Sequence, residues 1–107
     1  MLVPEIKSYE AHVTIEPVTG ERFELFEILC REQKFKPAKL LMVKDRPETA
    51  ERSNKDSFCT GHSYDYGDIL SRMMMLVGEC KLNGFKVWRY KIEGIVLDVK
   101  LDRETTI

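Results

Sequence analysis

Tyr9-Glu10-Ala11-His12-Val13-Thr14-Ile15-Glu16 alternates at every position. Tyr9, Ala11, Val13 and Ile15 share one parity, and Glu10, His12, Thr14 and Glu16 share the other. Successive side chains of a strand point to opposite faces, so this stretch predicts a strand with one buried face and one polar face. Pro17 ends it, because proline has no N–H to give to a ladder. The rest of the chain must therefore cover one face only.

Working outward, Thr19-Gly20 reads as a turn, and a helix is expected from about Glu21 to Gln33. Phe23, Phe26, Leu29 and Cys30 recur there at helical spacing. Lys36-Pro37 reads as a break before a second strand, Ala38 to Lys44. Residues 45–56 are charged and contain Pro47, so they read as a long flexible hairpin connection. A third strand is expected over Ser57–Ser63, with Gly61 marking a bulge or a close approach. Tyr64 to Gly67 turns into a second helix, capped by Asp68 or Asp65. Its apolar surface is Ile69, Leu70, Met73, Met74, Leu76, Val77 and Cys80, and Asn83-Gly84 stops it. Lys86 to Glu93 alternates again, placing Trp88 and Tyr90 beneath the helices. After Gly94 the apolar parity switches to Ile95, Leu97, Val99 and Leu101, which makes Gly94 the expected pivot to an extra C-terminal strand. Residues 102–107 read as a loose tail, and no internal sequence repeat is read.

The order β-α-β-β-α-β is similar to that of the ferredoxin-like split βαβ arrangement. It implies an α+β sandwich: a four-stranded antiparallel sheet in spatial order 4-1-3-2, with two helices on one face. The whole chain, residues 1–107, suits a single domain of this kind.

Composition narrows the function classes. Seventeen basic and 18 acidic residues give a net charge of −1, which lacks the basic bias of a nucleic-acid footprint. No apolar run of about 18 residues predicts a membrane span. The first residues lack the apolar core of a signal peptide. Cys30, Cys59 and Cys80 form no CxxC pair, which favours a reducing compartment and a cytoplasmic protein. No cofactor is implied. A zinc set of His12, Cys59 and His62 is disfavoured, since Cys59 and His62 have opposite parity.

The candidate site is geometric. His12-Val13-Thr14 runs His-x-Thr, and Thr60-Gly61-His62 runs Thr-x-His. One antiparallel register would set His12 opposite His62 and Thr14 opposite Thr60 on the open sheet face. The fourth strand can add Arg89, Lys91 and Glu93 to that surface. Hydroxyls, imidazoles and permanent cations together suit an anion, phosphate above all. His12 and His62 could then move protons, while Thr14, Thr60, Arg89 and Lys91 hold the ligand. The helix after the third strand could add a positive N-terminus.

His12-Val13-Thr14 resembles half of the signature of the 2H phosphoesterases, which carry two His-x-Thr/Ser motifs. The resemblance implies a general acid or base at His12 with Thr14 as its ligand-binding companion. It covers three residues. His62 is followed by Ser63 and Tyr64, so the second motif departs from the pattern, and the chain is about half the length of that two-lobed fold.

The sequence thus predicts a domain that binds a phosphorylated small molecule, a nucleotide or another anion, with phosphoesterase-like chemistry left open. Two other readings stand beside it. One is a protein-interaction or homo-oligomerising module, with Ile95 to Leu101 extending a sheet across subunits. The other is an RNA- or single-stranded-DNA-binding domain acting through a local patch.

Overall fold

The computed structural model describes residues 5–38 and 57–96. The elements are β1 (Ser8–Ile15), α1 (Gly20–Glu32), β2 (Lys36–Ala38), β3 (Ser57–Ser63), α2 (Tyr66–Leu82) and β4 (Val87–Ile95). The sheet is antiparallel in the order β2-β3-β1-β4, which read from the other edge is 4-1-3-2. This is an α+β ferredoxin-like sandwich.

The parity read from β1 sets the layers. Ala11, Val13 and Ile15 are fully buried, and Cys59 joins them from β3. Phe26, Leu29 and Cys30 of α1 and Ile69, Met73, Leu76, Val77 and Cys80 of α2 close the core over them. Of the three consecutive methionines only Met73 is buried; Met74 and Met75 look outward. Burial pushes the Cys80 thiol up to about 12. A hydrogen bond with Cys59, followed by burial, raises the Cys30 thiol far above its usual range. Thiols without thiolate character are poor nucleophiles, so these cysteines are packing residues.

Both helices end in the same way. In α1 the Phe35 N–H donates to the Cys30 carbonyl (2.8 Å) and the Lys34 N–H to that of Arg31 (3.0 Å). In α2 the Phe85 N–H donates to Cys80 (2.9 Å) and the Gly84 N–H to Lys81 (3.1 Å). These are Schellman ends, and both left-handed positions show it: Lys34 at φ 60° and Gly84 at φ 82°. Phe35 and Phe85 then fold back into the core, 2 % and 3 % exposed.

Each end is clamped by an arginine from the other helix. Arg22 of α1 donates to the Asn83 carbonyl (3.0 Å), and its guanidinium lies 4.0 Å from the Phe85 ring centroid. Arg72 of α2 donates to the carbonyls of Gln33 (2.8 Å) and Lys34 (2.9 Å), with its guanidinium 5.6 Å from the Phe35 ring centroid. Arg72 also reaches the His62 carbonyl (2.9 Å) and Asp68 (3.1 Å). The pairs Arg22/Arg72, Cys30/Cys80, Phe35/Phe85, Lys36/Lys86 and His12/His62 all stand fifty positions apart. The chain therefore carries an internal βαβ repeat, against the sequence reading. Ala11 pairs with Gly61, which is its own repeat equivalent, so the pseudo-twofold relating the halves passes between them.

Three expectations change. β2 begins at Lys36 rather than after Pro37. A proline without an N–H is tolerated there because β2 is an edge strand among the described residues. The remainder of the expected second strand (39–44), the 45–56 connection, the extra strand from residue 97 and the 102–107 tail lie outside the described residues. β4 runs straight through Gly94, which pairs with Tyr9. The irregularity sits near Trp88 instead, because Thr14 pairs with Arg89 while Ile15 pairs with Val87. Trp88 and Tyr90 are not beneath the helices. Tyr90 shares the face of Val13 by register but lies on the edge strand and is 44 % exposed, and Trp88 at the irregularity is 54 % exposed.

Candidate functional site on the open sheet face

β1, β2 and β3 place their even-numbered side chains, and β4 its odd-numbered ones, on the uncovered face in cross-strand rows. The central row runs Lys36, Thr60, His12, Lys91 from one sheet edge to the other. The row beside it runs Ala38, Phe58, Thr14, Arg89, and on the other side His62, Glu10 and Glu93 line up. Directly opposed side chains lie about 4.5–5.5 Å apart at Cβ, so each row is a set of immediate neighbours.

This register differs from the one expected by a two-residue step. His12 is opposite Thr60, not His62, and Thr14 is opposite Phe58, not Thr60. All four residues still share the face, since a shift of two preserves parity. His12 and His62 become diagonal neighbours, roughly 7–8 Å apart at the backbone, and straddle the pseudo-twofold.

The contacts follow from the rows. Thr60 Oγ1 and His12 Nδ1 are 3.2 Å apart. With the hydroxyl donating to Nδ1, the imidazole presents its Nε2–H outward. Glu10 Oε1 lies 3.9 Å from that Nε2, and the His12 side chain is 27 % exposed. His62 is exposed and packs edge-on to Tyr64, with ring centroids 5.1 Å apart. Lys91 Nζ bonds Glu93 Oε1 at 2.5 Å. That hydrogen bond, then the Lys91 charge, holds the Glu93 carboxyl below the usual carboxylate range, with smaller help from His12 and Arg89. Arg89 and Lys36 make no side-chain hydrogen bond or ion pair with another described residue. Three permanent cations (Lys36, Arg89, Lys91) thus share the face with two carboxylates (Glu10, Glu93).

One expected contributor is not delivered. The α2 N-terminus is occupied by its own cap: Asp65 Oδ2 accepts from the Asp68 N–H at 2.9 Å. The His12–Cys59–His62 zinc set is not assembled, because Cys59 is buried on the opposite face of β3. Among the described residues no group of three or more His, Cys, Asp or Glu side chains could hold a metal ion. A shallow polar depression lined by Glu32, Gln33, Lys34, Asp68 and Arg72 lies at the end of α1, but Arg72 spends its donors there on backbone carbonyls.

Sequence reasoning missed Lys36 and Glu10 as site members. Lys36 was hidden by its proline neighbour, which reads as a break. Glu10 was visible as an even-parity residue, and only the register shows that it stands opposite His62.

Fold and site together define a two-layer α+β domain with a polar, cation-bearing open sheet. No family model matches the chain, and no curated protein matches it. Among the described residues no helix is long and apolar enough to cross a membrane.

Proposed function

We propose that the open face binds a phosphorylated or otherwise anionic ligand. The observation carrying this reading is the Lys36–Thr60–His12–Lys91 row with Arg89 in the adjacent row. A tetrahedral anion over Thr60 and His12 would accept from the Nε2–H and from the Thr14 hydroxyl. Arg89, with no competing partner among the described residues, can turn its fork onto it. Glu10 restrains the site: its carboxylate repels an anion unless His12 is protonated or a cation intervenes.

The acid–base form of the reading uses His12 and His62 on opposite sides of the pseudo-twofold. One imidazole would take a proton from the attacking group while the other gives one to the leaving group. Their shared face and diagonal spacing support it.

The test is calorimetric titration of the full chain with inorganic phosphate and with a nucleoside monophosphate. Binding that weakens about tenfold or more in Arg89→Gln and in His12→Gln supports the reading. Absence of binding by either probe, or binding indifferent to both substitutions, refutes it.

A further inference from the structure

Among the described residues β4 is a nine-residue edge strand that pairs on one side only, with β1. An edge offers a row of unpaired backbone donors and acceptors, and proteins usually blunt it with proline, a short strand or inward charge. β4 has no proline, and its inward positions Tyr90 and Ile92 are apolar. Its open-face positions carry Arg89, Lys91 and Glu93 in alternation.

One register pairs opposite charges without opposing like ones. If two copies of β4 pair antiparallel about a twofold axis, opposed residues share a parity, so the axis falls on a residue. Centred on Tyr90, Arg89 would oppose Lys91. Centred on Lys91, Arg89 would oppose Glu93 twice, but Lys91 would oppose its own copy at the axis; centred on Glu93, Glu93 would oppose its own copy. Each of these juxtaposes like charges, which destabilises a cross-strand pair. Centred on Ile92, Lys91 opposes Glu93 of the second copy twice, Ile92 meets Ile92, and Tyr90 lies opposite Gly94, where no side chain obstructs the ring.

The helix layer agrees. Arg72 marks the flank of α2 that faces α1. Tyr66, Leu70 and Met74 recur every four residues on the other flank, which is the β4 side, and are 49 %, 36 % and 44 % exposed. Tyr90 on β4 is likewise 44 % exposed.

We propose that the chain forms a homodimer by β4–β4 pairing about Ile92, joining two sheets into one of eight strands with both α2 helices facing each other across the seam. The partner is a second copy of this chain. The Lys91–Glu93 ion pair within each chain is then exchanged for pairs across the seam. This proposal does not depend on anion binding.

The test is sedimentation equilibrium of the full chain over a wide concentration range, with fold checked by circular dichroism. The wild type should be dimeric. Glu93→Lys and Lys91→Glu should each weaken the dimer about tenfold or more, since each turns both cross-seam pairs into like charges. The double swap, Lys91→Glu with Glu93→Lys, should restore it. A wild type that stays monomeric at high concentration overturns the proposal. So does a dimer indifferent to the single substitutions, or a double swap that fails to recover association while remaining folded.

Discussion

Gly61→Ala tests the packing that seats β3 and with it Thr60 and His62. An alanine Cβ at this position would stand 2.7, 2.8 and 2.9 Å from three carbons of the Phe35 ring. Carbon atoms rest about 3.5–4.0 Å apart, so ring or strand must move by roughly 0.7 Å or more. The ring has little room to retreat. It is 2 % exposed, the Arg72 guanidinium lies 5.6 Å away, and the Phe35 N–H is tied to the Cys30 carbonyl. Overpacking of this kind costs about 1–3 kcal/mol. The reduced backbone freedom of the unfolded alanine variant returns about 0.4–1 kcal/mol, leaving a net loss of about 1–2 kcal/mol. In a domain of this size that lowers Tm by about 5–15 °C. Urea unfolding of Gly61→Ala, Phe35→Leu and the double variant should show coupling, because leucine removes the two closest ring atoms, Cε1 and Cζ. The double variant should be at least about 1 kcal/mol more stable than the sum of the single effects allows. Additive losses, or a Gly61→Ala protein as stable as the parent, would refute this account of Gly61.

Arg72→Ala should cost roughly 2–4 kcal/mol, because it strips a charged donor from three carbonyls and leaves the part-buried Gln33 carbonyl short. Arg22→Ala, which frees one carbonyl, should cost clearly less; equal losses in chemical denaturation would contradict the clamp. Lys34→Gly should stabilise the chain by roughly 0.5–1 kcal/mol, since Lys34 is a side-chain-bearing residue at φ 60° and its carbonyl bond to Arg72 survives the change. Asp68 has its pKa lowered, first by the Ser63 hydroxyl and then by Arg72. A depressed folded-state pKa gives stability that is present above the unfolded value and is lost as pH falls through the folded one. The Tm advantage of the parent over Asp68→Asn should therefore be full near neutral pH and vanish in strong acid; an advantage independent of pH would contradict the assignment.

The fold was legible where periodicity is strong. Alternation in Tyr9–Glu16 assigns the buried face of the central strand, and β3 begins and ends where the sequence places it. The site was legible in parity but not in register. Parity alone puts His12, Thr14, Thr60 and His62 on one face. A slip of two residues keeps that face and changes every neighbour, and no local signal in either strand distinguishes the registers. The βαβ repeat escaped notice for a related reason. Its shared residues are the few that do structural work at helix ends and sheet centre, and the surface between them has no need to match. Trp88 and Tyr90 were misplaced because an alternating pattern tells which residues share a face, not whether a helix reaches far enough to cover an edge strand.

The central claim is that the open face is an anion site built around His12. Its most direct test is an NMR titration of the isotope-labelled chain with inorganic phosphate, following imidazole and backbone signals together. The account predicts shifts concentrated at His12, Thr14, Thr60, Arg89 and Lys91, a phosphate-dependent change in the His12 titration curve, and little change along α1 and α2. Shifts scattered over both layers, or a His12 curve that ignores phosphate, would contradict it.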